Sequence, residues 1–340
     1  MIKNILFCLL AIVAMQVKGQ GVEEAIRHAT HGLGGSTRTL GFANAAGAVG
    51  GSATAALINP ANAALNRKSE LHFGFNINSN ATNSTYINSP EIADQNTGIG
   101  LSNINLTIFQ PMRDEGGRMV TKGLTNLVYS FGYSRTTDYR SSFLFRSDNK
   151  ANSFTDFLAE QANGVPFDQL DIFGLPYLGF ETYLIEPKSA FGDSFASAIR
   201  SFNTNVNQVG NVTRTGSGGD FNFSLAADIE NTFYLGGGMV VRRGRFRETL
   251  SFSETDNQPL SDTNDFAGLT YNRYLETRVT GVGLNLGAML KASPNLRIGV
   301  SYVSPIRVRA TDEYTQSLTG RFDRNRDVSI PSTEITRTTP

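Results

Sequence analysis

Four arginines fall within six positions of the chain: Arg242, Arg243, Arg245 and Arg247. Guanidinium groups hold carboxylate and phosphate oxygens through paired, charge-assisted hydrogen bonds, so a run of this density could seat an anion. Arg242, Arg243 and Arg245 are the candidates for anchoring a ligand carboxylate. A rim that meets surface phosphates and simple solvated charge are the competing readings. A second set of residues is apolar. Phe154, Phe157 and Leu158 recur at helical spacing, and Phe167, Leu170, Phe173, Tyr177 and Phe180 follow within the same long connection. A connecting segment this apolar needs either to pack on itself or to meet a ligand. These eight residues are therefore candidate ligand contacts.

Other chemistry is poorly represented. His28, His31 and His72 are the only histidines, and no cysteine or acidic pair completes a metal set around them. Asp323, Asn325, Asp327 and Glu334 follow the spacing of a calcium loop, but Val328 stands where the sharp turn needs glycine. No serine lies in a Gly-x-Ser-x-Gly elbow, and Gly47 to Gly51 does not follow a strand pattern as a dinucleotide loop would. The expectation is a protein that is not an enzyme, with no metal and no cofactor. Formal net charge is zero, so no nucleic-acid partner is expected either.

Two kinds of element must position these residues. Near the N-terminus stand Lys3, an apolar stretch from Ile5 to Met15, and the small residues Val17 and Gly19. That is the layout of a secretory signal cleaved after residue 19. The sole cysteine, Cys8, lies inside it. Beyond residue 68 the pattern changes to rows of period two. Leu71, Phe73, Phe75 and Ile77 alternate with His72, Gly74, Asn76 and Asn78. Similar rows run through Ile104–Ile108, Leu127–Tyr133, Phe221–Ile229, Phe233–Val241, Leu284–Ala288 and Leu296–Tyr302. Period two puts each apolar set on one face of a strand. Long connections, such as 134–219, alternate with tight ones, such as Glu230-Asn231. This asymmetry, with apolar rows facing lipid, predicts an all-β fold: a transmembrane antiparallel β-barrel. Seven or eight strands cannot close such a barrel evenly, so its C-terminal part is expected to be missing. Residues 20–68, rich in Ala and Gly, are expected to form a small helical plug, and 69–340 the partial barrel with long extracellular loops.

Three stretches carry a family resemblance. The first runs Thr39-Leu40-Gly41-Phe42-Ala43-Asn44-Ala45-Ala46-Gly47 and continues through Asn59-Pro60-Ala61-Asn62. The second is Asn152 to Gly164, and the third joins Gly281–Gly287 to Leu296–Tyr302 and Ser304-Pro305. Together they resemble the FadL/TodX family of outer-membrane transporters for long-chain fatty acids and other hydrophobic compounds, in its Bacteroidetes-like branch. The resemblance implies a fourteen-stranded barrel, of which this chain supplies about half, with Asn59, Pro60 and Ala61 in the hatch. It also implies passive transport through a plugged barrel, with a hydrophobic small molecule captured at the outer loops. The implied location is the bacterial outer membrane, with its lipid, lipopolysaccharide and the barrel-assembly machinery as partners. A general porin, or a structural or adhesive outer-membrane barrel, is the alternative.

Overall fold

Each period-two row folds as an antiparallel strand, and the strands are longer than the apolar rows that mark them. The computed structural model describes residues 27, 34–50, 53–189, 192–199, 205–257, 265–323, 328–330 and 335–339. The signal-peptide reading of residues 1–19 lies outside them. A short helix α1 (Thr37–Gly41) and two 3₁₀ turns (Ala53–Leu57 and Pro60–Leu65) precede the strands. These are β1 (Glu70–Ser84), β2 (Ile92–Pro111), β3 (Leu124–Asp138) and β4 (Ser141–Asn149). Helices α2 (Phe154–Ala162) and α3 (Leu175–Glu181) follow, then the short β5 (Ile185–Pro187) and β6 (Phe195–Ser197). The long β7 (Val206–Ile229), β8 (Phe233–Asp256) and β9 (Phe266–Ser293) come next. Last are β10 (Leu296–Val303), β11 (Arg307–Phe322), β12 (Val328–Ile330) and β13 (Ile335–Thr339).

Eleven of these strands form one sheet in the order β1-β2-β3-β7-β8-β9-β11-β12, with β4 on β7, β10 on β9 and β13 on β11. Strands β5 and β6 pair only with each other. The β7–β8 hairpin turns at Glu230 and Asn231, both at positive φ. That is the backbone of a primed hairpin turn, whose twist matches the twist of the flanking strands.

The alternation sorts side chains between two faces. On β8, Phe233, Leu235 and Met239 are exposed, whereas Tyr234, Val240, Phe246 and Phe252 are buried. The exposed rows continue on neighbouring strands through Phe73, Phe75, Ile77, Phe223, Leu225, Leu284, Leu286 and Val300. The opposite, inner face carries the N-terminal segment near one end and the helices α2 and α3 near the other. The core is accordingly split into two clusters. One gathers Ala56, Ala61, Ala63 and Ala64 against Val128, Ala226, Tyr234 and Met289. The other gathers Leu158, Leu178, Leu184, Ile185 and Phe195 against Phe266, Leu269 and Leu318.

The architecture corrects the expectation of a transmembrane β-barrel of which this chain supplies about seven to eight strands. Among the described residues no strand of the far end pairs with β1, so the sheet is open. Period two specifies which face of a strand is apolar, but closure needs hydrogen bonds between the first and last strands, about which the pattern is silent. No described helix is long and apolar enough to cross a membrane. The long connections also shrink. Much of 134–219 is strand: β3 runs to Asp138, β4 is inserted, and β7 starts at Val206.

Candidate functional site

The helix α2 starts where a side chain can satisfy its free backbone N–H groups. Ser153 is its N-cap and accepts from the Thr155 N–H, while the Asp156 carboxylate accepts from the Ser153 N–H at 2.9 Å. This reciprocal capping box fixes the angle at which the chain enters the helix. Leu158, Ala159 and Ala162 face the core, and Gly179 of α3 packs on Leu158. Phe154 and Phe157 turn the other way, toward a cleft between the helix and the inner face of the sheet.

That cleft is a cavity of 440 Å³. Six rings wall it: Tyr86 from the β1–β2 connection, Phe145 from β4, Phe154 and Phe157 from α2, Phe252 from β8 and Tyr271 from β9. They form a continuous chain of ring contacts. Tyr86 lies 4.9 Å from Phe145, Phe154 lies 5.2 Å from Phe252, and Phe154 stacks on Tyr271 at 5.6 Å. The only ionisable side chains besides the two tyrosines are Asp156 and Glu160, and no Lys, Arg or His is among the lining residues.

Under this wall sits Glu254, which has no solvent exposure. Its carboxylate accepts from the Ser153 hydroxyl, from the Phe154 N–H at 2.9 Å and from Gln208 Nε2 at 2.8 Å. Burial pushes its pKa above the ordinary carboxylate value, and the three hydrogen bonds offset only part of that. Gln208 in turn accepts from the Tyr86 hydroxyl at 2.8 Å and from Asn149 Nδ2 at 3.1 Å. Tyr271 has its pKa raised, chiefly by burial and then by the Tyr314 hydroxyl. The hydrogen-bond network thus ties four separated segments into one rigid floor.

The candidate ligand contacts from the sequence divide. Phe154 and Phe157 line the cavity. Leu158 and Leu170 are buried in the core beside it, with Phe167, Tyr177 and Phe180 packed against that core. Phe173 is exposed, and its carbonyl accepts from Gln316 Nε2 at 2.9 Å. Sequence reasoning did not single out Tyr86, Phe145, Phe252 or Tyr271. Phe252 did carry a signal, since Leu250 and Phe252 alternate with Ser251 and Ser253.

The arginine run falls on both faces of β8, as period two requires. Arg242 points inward and pairs with Asp220 at 3.0 Å. Arg243, Arg245 and Arg247 point outward, so the three proposed carboxylate anchors do not converge on one site. On the outer face Glu276 takes Arg245 and Arg247 at 2.7 Å each and Arg278 at 2.6 Å. Its pKa is held down to about 2 by the hydrogen bonds from these arginines and Tyr274, against the effect of burial. A carboxyl lowered in the folded state stabilises it above its ordinary value of 4.5, and that stabilisation is lost as pH falls toward about 2. Urea stability of Glu276→Gln is therefore expected to show a shallower decline than the parent between pH 4.5 and 2. Parallel curves in that window would remove the carboxylate from the ion-pair cluster.

The hatch candidates sit on the inner face at the other end. Asn59 caps the turn Pro60–Leu65, and its amide donates to Gly47 O at 2.8 Å. Pro60 and Ala61 lie against the backbone of β8 at Gly236 and of β9 at Gly287. Arg67 then reaches the buried Asp228 at 2.7 Å. Among the described residues, no group of His, Cys, Asp and Glu could hold a metal ion.

The described strands enclose no pore. This overturns passive transport through a plugged barrel, and with it the porin and adhesive-barrel alternative. The outer-membrane location and the partnerships with lipopolysaccharide, outer-membrane lipid, a transported hydrophobic compound and the barrel-assembly machinery rested on the same closure. No family model, no curated protein and no solved structure matches the chain, so the resemblance to the FadL/TodX family does not stand.

Proposed function

We propose that this is a binding protein without catalytic chemistry, and that its aromatic cavity takes an organic cation such as a substituted ammonium group. One observation carries this reading: six aromatic rings surround a space whose charged lining groups are the carboxyls Asp156 and Glu160, with no basic residue among them. The negative faces of aromatic rings attract a cation held within about 6 Å, by roughly 0.5–2 kcal/mol for each ring that engages it. A carboxylate at the rim adds long-range attraction. An anionic ligand meets the opposite, since no positive side chain lines the cavity. The hydroxyl–carboxylate contact at the wall, Ser153 to Glu254, is buried at the start of α2 and caps that helix, which supports binding rather than turnover.

Benzyltrimethylammonium is the probe, titrated into the full chain by calorimetry. Binding is expected, and Glu160→Gln should weaken it a few-fold. Phe157→Ala, which removes one exposed wall, should weaken it about tenfold. Benzoate, of similar size and opposite charge, should not bind. Equal affinity for the two probes, or no affinity for the cation, would refute the proposal.

A further inference from the structure

On the outer face the side chains of Arg243, Arg245 and Arg247 follow one another at two-residue steps along β8. Across the ladder, Arg243 lies opposite Thr280, Arg245 opposite Arg278, and Arg247 opposite Glu276. Two arginines directly opposite one another repel, so the pair Arg245–Arg278 needs an anion between its heads. Glu276 supplies one, and Glu313 reaches Arg278 at 3.2 Å. Four guanidiniums against two carboxylates still leave positive charge in excess. Arg243 is exposed, and among the described residues no carboxylate lies within ion-pair distance of it.

These arginines border a groove of 470 Å³. Arg243, Arg245 and Arg278 form its charged side, and Tyr133 and Phe221, with ring centroids 5.0 Å apart, form its apolar side. Ser217 and Thr280 add hydroxyl groups. The groove therefore joins planar multidentate donors to an aromatic floor, on the opposite face of the sheet from the cation-binding cavity.

We infer that this groove binds clustered phosphoryl oxygens: a polyphosphate or phosphomonoester whose anionic end engages Arg243, Arg245 and Arg278. Guanidinium suits this chemistry because its forked N–H groups match two oxygens of a phosphoryl group at once. More than one negative charge is needed to use the excess that Glu276 and Glu313 leave. Because an apolar floor adjoins the arginines, the phosphoryl group could come from a free organophosphate or from a lipid headgroup.

Two probes separate these sources, both with the full chain. The first is tripolyphosphate, followed by calorimetry at low and high salt. The second is sedimentation with phosphatidylcholine vesicles, with and without phosphatidic acid. Tripolyphosphate binding that falls with salt and weakens about tenfold in Arg243→Gln assigns the site to a soluble phosphate. Co-sedimentation only with phosphatidic acid, lost in Arg243→Gln, assigns it to a headgroup. Binding to neither probe, or binding that Arg243→Gln and Arg278→Gln leave unchanged, overturns the inference. Arg243 holds no ion pair among the described residues, so its replacement is expected to leave the unfolding temperature in place.

Discussion

Gly236→Val should lower the stability of the full chain by about 3 kcal/mol, at the top of the range for overpacking a tight contact. A Cβ at Gly236 would stand 2.5 Å from the Ala61 nitrogen and 2.5 Å from the Pro60 carbonyl carbon. Both are backbone atoms, so no rotamer change can relieve the clash. The segment itself cannot easily retreat. Asn59 Nδ2 is bound to Gly47 O, Asn62 Nδ2 to Ala46 O at 2.6 Å, and Ala61 N to Asn59 Oδ1 at 3.0 Å. Displacing it would expose four buried alanines together with Tyr234 and Met289 beneath them. Gly237 is the control. It faces outward, where an added Cβ meets the Leu286 side chain at 3.4 Å and the Asn285 carbonyl oxygen at 4.0 Å, both ordinary contacts. Urea unfolding midpoints should separate the two valine variants clearly. If Gly236→Val unfolds with Gly237→Val, the segment 59–65 is not docked on the sheet.

The small side chains of residues 53–65 were legible as tight packers, because Ala, Gly and Asn bury little apolar area each and can only fill a narrow space. What they pack against was not legible. Gly236 and Gly287 lie more than 170 positions away and look like ordinary strand glycines in sequence. The apolar rows were equally clear, since Phe73, Phe75 and Ile77 announce one face by spacing alone. The outer ends of the same strands were hidden. From Arg243 to Thr255 the outward side carries only Arg, Thr and Ser, so its alternation has little hydrophobic contrast, and the apolar row marked in the sequence stops at Val241 where β8 continues. The barrel assignment was misjudged for a different reason. It depends on pairing between distant strands, and a local period carries no information about that.

The aromatic cavity shows the same division. Phe154 and Phe157 could be found because helical spacing links them, while Tyr86, Phe145, Phe252 and Tyr271 each sit on a separate element. Their meeting point is set by strand register: Phe145 lies opposite Gly210, where the absent side chain leaves room for its ring. Similarly, the arginine run was visible as charge, but its split between faces follows only once Arg242 to Arg247 is known to be strand.

The stability of that cavity is expected to turn on Glu254, and Glu254→Ala should cost about 3 kcal/mol or more. Three donors lose their acceptor together: the Ser153 hydroxyl, the Phe154 N–H and Gln208 Nε2. Each buried donor left unsatisfied costs roughly 1–3 kcal/mol, and the vacated volume adds a cavity penalty. The loss also reaches the ligand wall, because Ser153 and Phe154 begin the helix that carries Phe157. Glu254→Gln separates charge from shape. It keeps a carbonyl acceptor and similar volume, so its loss of stability should be smaller. Its pH dependence gives the sharper test. Burial raises the folded-state pKa of Glu254, so as pH rises past 4.5 the unfolded chain ionises this group before the folded chain does. Stability should therefore fall with rising pH across the interval between the two values, opposite in sign to the slope that Glu276 contributes below 4.5. Glu254→Gln should flatten that decline and leave the acid limb alone, whereas Glu276→Gln should flatten the acid limb only. A Glu254→Gln profile that retains the parent's decline above pH 4.5 would mean the carboxyl is solvated in the folded chain, and the floor of the cavity would then be open to water.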